Sequence, residues 1–179
     1  MLRGFKFGAA LTLGLLLLAA GCNRQARSKF PGTNKGAEQM SGEFVKKGAD
    51  YSALTESLRP AKEDYAAIFK EEFASKLEAA YASSWKLPEH RIAPRAGETE
   101  VKLFGATTAE LEGWNGYAKD FFPEGWRAVG QQLKSRDLKF YQIRFVRPNA
   151  ASLSSSTYDG LIYVNNQWRY FPRPWAAIK

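Results

Sequence analysis

"LIYVNNQWRYF", Leu161 to Phe171, is the stretch on which the fold turns. Large apolar or aromatic side chains crowd both arms, and two asparagines sit at the centre. Asn165 and Asn166 can both take the positive φ that a two-residue hairpin turn demands. That turn pairs Tyr163 with Trp168 and Leu161 with Tyr170. The four side chains then share one face, an aromatic layer that a helix must cover. Ile162, Val164, Gln167 and Arg169 take the reverse face.

More strand lies upstream. In "LKFYQIRFVRP", Leu138 to Pro148, the residues Tyr141, Ile143 and Phe145 fall on one face. Phe140, Gln142, Arg144 and Val146 fall on the other, and Pro148 ends the strand. "NAASLSSSTYDG" reads as a loop, with Asp159-Gly160 turning the chain. "TEVKLFGA", Thr99 to Ala106, alternates in the same way: Val101, Leu103 and Gly105 against Glu98, Glu100, Lys102 and Phe104. After the hairpin, "PRPW" leaves the sheet as an extended tail.

The amino-terminal half has helical spacing. Residues 43–58 bring Phe44, Val45, Tyr51 and Leu54 together, with Asp50 a restart point. Pro60 suits the first turn of the next helix. "PAKEDYAAIFKEEFASKLEAAYASSW" predicts one helix from Pro60 to Trp85. Phe69, Phe73, Leu77, Ala80 and Tyr81 fall within one arc of about 120°. Asp64, Glu71, Glu72, Ser75 and Glu78 fall on the opposite side. Thr107 with Glu110 fits a capping box. Pro123 opens another helix, reaching roughly Leu133.

Helices first and antiparallel strands last predict an α+β domain, its amino-terminal helices packed on one face of a curved sheet of about four strands. This order, over roughly residues 43–175, resembles the cone-shaped fold of nuclear transport factor-like and cystatin-like domains. The resemblance is one of element order, carried by no motif. It implies an apolar cavity between helix and sheet.

The first 22 residues are an address. Arg3 and Lys6 precede an apolar run from Phe7 to Gly21. As a helix the run is about 22 Å long at ~1.5 Å per residue. That is short of the roughly 30 Å of a hydrocarbon core and suits a secretory signal. Leu18-Ala19-Ala20-Gly21-Cys22 resembles the lipobox of bacterial lipoproteins. The resemblance implies that the Cys22 sulfur receives a diacylglycerol, that the leader is cut before it, and that the new amino terminus is acylated. Cys22 is the chain's one cysteine, so no internal disulfide competes for it. Residues 1–21 are then a signal peptide. Residues 22–42, polar and rich in Gly, Ser and Asn, read as the lipidated cysteine and a flexible tether. Residues 43–179 form a single α+β domain. The expected location is the cell envelope, on the periplasmic or extracellular face of a membrane.

The 179-residue chain carries a formal charge of +8. Loss of Arg3 and Lys6 with the leader lowers this to +6. The charge is uneven: +4 over residues 23–47, −5 over 48–126 and +7 over 127–179. Export makes nucleic acid a poor partner. The basic carboxyl-terminal third suits an anionic wall polymer or a solvated surface beside the acidic half.

Catalytic sets are sparse. With one histidine, His90, and one cysteine, metal sites built from several of either are excluded by count. No phosphate loop and no Gly-x-Ser-x-Gly occurs. His90 sits in the proline-rich loop "PEHRIAP" and reads as a surface residue. Glu98 and Glu100 share a strand face but read as solvated. No cofactor is expected. Aromatic residues offer the richer signal. Tyr81, Trp85, Tyr141 and Trp168 are the candidate lining of a pocket between helix and sheet. Arg144 and Arg169, among apolar neighbours on the reverse sheet face, are candidates for a protein contact, unless residues 43–58 cover that face. The leading expectation is a membrane-anchored lipoprotein with a non-catalytic domain that binds a ligand or an envelope protein. An envelope enzyme using scattered acids or His90 in an aromatic pocket is the alternative, and binding of an anionic wall polymer is a third.

Overall fold

The computed structural model describes residues 27–149 and 155–178. Cys22 and the leader lie outside the described residues. The fold is α+β, with a curved, open, four-stranded antiparallel sheet.

The hairpin forms in the expected register. β3 (Ser156–Val164) and β4 (Gln167–Tyr170) pair Tyr163 with Trp168 and Leu161 with Tyr170. Asn165 and Asn166 take φ of 48° and 62°. β1 (Glu100–Thr107) and β2 (Lys139–Val146) complete the order β1-β2-β3-β4. A bulge displaces the β2–β3 register at Tyr141/Gln142. Gly160 sits opposite it with φ +110°, where a Cβ would come 2.2 Å from the Phe171 carbonyl oxygen. The pair Asp159-Gly160 therefore kinks a strand rather than turning the chain.

The amino-terminal half is more broken, and it starts earlier than expected. α1 (Asn34–Gly42) lies within the segment read as a flexible tether. The Thr33 hydroxyl caps it by accepting from Gly36 N at 3.1 Å. Ala37 and Met40 bury its inner face. Ser28 N already donates to Asn166 O at 2.9 Å, so the folded body includes residues 28–42. A 3-10 turn (Glu43–Val45) and α2 (Tyr51–Ser57) follow, with Asp50 capping α2 as its restart position suggested.

The single helix expected from Pro60 to Trp85 is two: α3 (Lys62–Ile68) and α4 (Glu71–Ser84). Between them Phe69 is extended and bridges to Leu133. Lys70 N donates to Gln132 O, and Lys134 N to Ile68 O, at 2.8 and 2.9 Å. Cross-chain hydrogen bonds replace the helical ones, and Phe69 becomes fully buried against Phe73 and Phe171.

Three short helices connect β1 to β2: α5 (Thr108–Gly113), α6 (Gly116–Phe121) and α7 (Gly125–Gly130). The Thr107–Glu110 capping box is present. These helices decide what covers the sheet. Phe44 packs on Phe145, on the face that also carries Leu103 and Ile143. The reverse face meets α6 and α7: Phe104 stacks on Phe121 at 3.8 Å and Phe140 packs on Trp126 at 4.8 Å. Segment 43–58 thus does not cover the reverse face. The connection leaves and re-enters through one antiparallel pair, so its apolar residues fold back onto that pair's free side. The outer edge of β4 is engaged too, where Tyr170 N donates to Leu58 O at 2.9 Å. No helix among the described residues is long and apolar enough to cross a membrane.

Candidate functional site: a cation-rimmed groove at Trp85

Trp85 ends α4, and the chain then folds back past α2. Thr55, buried on α2, fastens the return by accepting from Ile92 N at 3.1 Å. Between the two segments lies a groove of about 580 Å³. Its floor is the buried Trp85; exposed Ala53 borders it on the α2 side, and its rim carries Glu56, Arg59, Lys86, Leu87 and Arg91.

The indole is held on two sides. Trp85 Nε1 donates to Glu56 Oε2 at 2.8 Å, and Tyr170 packs edge-on at 6.5 Å. Glu56 also accepts from Arg59 at 3.3 Å, and the Arg59 guanidinium lies 5.8 Å from the Trp85 ring centre. The one rim acid is thus already engaged twice. Lys86 and Arg91 are exposed and form no ion pair among the described residues. Leu87, 44% exposed, adds an apolar lip. The groove joins an apolar floor to a net cationic rim, which suits an anion bearing an apolar body.

The four residues expected to line one pocket do not meet in one. Trp85 alone borders this groove. Tyr81 is buried and donates through its hydroxyl to Pro172 O at 2.7 Å; burial pushes its phenol well above the ordinary range. It borders a separate cleft of about 240 Å³ beside His90. Trp168 is core, packed edge-on against Tyr141 and Tyr163 at 5.7 and 5.2 Å. The Tyr141 hydroxyl donates to Asn34 Oδ1 at 2.8 Å, in a third cleft. Helices on both sheet faces divide the space that a one-sided layer would have left whole.

The two arginines are not an open contact face. Arg169, its side chain 11% exposed, is ion-paired to Asp64 at 2.6 Å. The Arg144 guanidinium lies 5.0 Å from the Phe104 ring and 5.6 Å from that of Phe121.

No family model matches the chain, and neither curated proteins nor solved structures give a significant match. Function must therefore be read from the side chains.

The titratable groups depart from expectation. His90 is buried rather than on the surface, its ring 5.9 Å from Tyr81, and burial lowers its pKa. Glu98 is buried as well, while Glu100 stays exposed. Its two oxygens accept from Ser156 N at 2.9 Å and Arg95 N at 2.8 Å. Burial alone would raise its pKa; those hydrogen bonds more than offset it and hold the carboxyl below its usual value. A carboxylate so occupied staples loops together rather than moving protons. Asp159 accepts from Trp126 Nε1, and burial pushes its carboxyl up to about 6. In the sequence Asp-Gly is a turn signal, which masks a buried carboxylate at this position. Among the described residues, no three His, Cys, Asp or Glu side chains gather as a metal site.

Proposed function

We propose that the chain is an envelope lipoprotein, moored through lipid on Cys22, whose folded domain holds a ligand without catalysis in the groove at Trp85. The observation that carries the binding reading is the pairing of a pinned indole floor with three rim cations, two of them unpaired among the described residues. The anchor reading is supported by the run Leu18 to Cys22. Two acyl chains hold a protein stably where one holds it marginally.

Decanoate is a suitable probe, since it joins one carboxylate to an apolar chain. Titration should shift the Trp85 indole N–H resonance in a nitrogen-15 spectrum. The double variant Lys86→Gln/Arg91→Gln should weaken this about tenfold, a loss of ~1.4 kcal/mol. Ala53→Trp should fill the groove and abolish it. A resonance that decanoate leaves unmoved contradicts the proposal.

A further inference from the structure

The third cleft, sharing no residue with the groove, lies between α1 and the β1–β2 pair. Its volume is about 260 Å³ and its lining includes Asn34, Glu38, Phe104, Tyr117, Lys139 and Tyr141. Two features distinguish it from an ordinary surface dent.

The first is an exposed but supported ring. Tyr117 is 54% exposed. It packs at 5.5 Å on Phe121, which stacks on Phe104. Its backbone N–H donates to Glu110 Oε1 at 3.4 Å. The ring is therefore presented on a rigid stack rather than left loose in solvent.

The second is a fixed polar array. Asn34 Oδ1 accepts from the Tyr141 hydroxyl at 2.8 Å and from Lys139 Nζ at 3.2 Å. This sets the amide so that its N–H groups remain to donate, as do the remaining ammonium protons of Lys139. Glu38 lies one helical turn beyond Asn34 on the same face of α1 and supplies a carboxylate acceptor. It forms no ion pair among the described residues. Lys139 and Glu38 cancel in charge.

An exposed ring beside alternating donors and acceptors, with no net charge, matches one class of ligand. A pyranose sugar has an apolar C–H face that stacks on an aromatic ring, and an edge of hydroxyls that both donate and accept. We infer that this cleft binds an uncharged pyranose residue of a glycan. Tyr117 is the stacking platform, Glu38 accepts from hydroxyls, and Asn34 and Lys139 donate to them.

Saturation-transfer NMR tests this on the full chain in a sugar-free detergent, with tri-N-acetylchitotriose, cellotriose and maltotriose as probes. At least one should bind. Tyr117→Ala should weaken it about tenfold, as loss of an aromatic anchor does, and Glu38→Gln should weaken it less. Both positions are exposed, so unchanged thermal unfolding confirms that the variants fold. Ala53→Trp, in the other groove, should leave sugar binding intact. The inference is overturned if none of the three sugars binds, if Tyr117→Ala binds as well as the parent, or if Ala53→Trp removes binding.

Discussion

Asp64 ties together parts of the chain a hundred residues apart. Its carboxylate, fully buried, accepts from Ala61 N at 2.8 Å, Asn165 Nδ2 at 2.8 Å and Arg169 Nε at 2.6 Å. It thus caps α3 and clamps the hairpin at once. Removing one partner of a buried pair strands the other charge, which costs roughly 3–5 kcal/mol. Asp64→Ala should lower the urea-unfolding free energy by that amount, whereas Glu72→Ala, which removes a solvent-exposed ion pair with Lys76, should leave the unfolding midpoint essentially unchanged. Nothing local in the sequence marks Asp64: on a helical wheel it falls opposite the apolar arc, and its partners come from the far end of the chain. Asp159 makes a second prediction. Its folded pKa of about 6 exceeds the ~3.9 of an unfolded chain. The folded state holds the proton more tightly, so this contribution is present below about pH 4 and lost as pH rises through about 6. At ~1.4 kcal/mol per unit the loss is at most about 3 kcal/mol. Asp159→Asn keeps an acceptor for Trp126 and cannot ionise. It should flatten stability between about pH 4 and 6 and raise it at neutral pH, as urea titrations at several pH values would show.

At the scale of elements, legibility follows the range of the interaction that makes each one. The hairpin, the Asp50 cap and the Thr107–Glu110 capping box are set by neighbours within a few residues, and all are legible in the sequence. Two measurements follow from that locality. Asn166→Gly removes the Cβ penalty at φ 62° and should raise stability by about 0.5 kcal/mol in thermal unfolding. Thr107→Ala removes the hydroxyl that caps α5 and should cost about 1 kcal/mol. The break at Phe69 and the bulge at Gly160 depend instead on Leu133 and Phe171, so periodicity alone runs past the first and reads the second as a turn. The candidate sites divide the same way. The aromatic character of Trp85 points to a pocket between helix and sheet, whereas the groove it borders lies between α2 and the returning chain; Lys86 and Arg91 carry no local signal, because their convergence with Arg59 is set by that return.

Across the whole molecule, charge and layering redirect the search for partners. The basic carboxyl-terminal third is partly consumed by the fold, since Arg169 pairs with Asp64 and Arg144 lies on an aromatic stack. The cations left free at the groove come from residues 86 and 91, within the segment of net negative charge. Composition by thirds could not have located them. The pair of helical layers likewise trades one large cavity for several small clefts, and two of these are chemically distinct: cationic and apolar at Trp85, neutral and polar at Tyr117. Both readings acquire an envelope setting only if the chain is moored there. Membrane fractionation of the parent and Cys22→Ser proteins tests this most directly. The parent should stay with the membranes through a high-salt wash, and the variant should appear in the soluble fraction. A variant that still sediments with membranes, or a parent that salt alone releases, would contradict the lipid anchor.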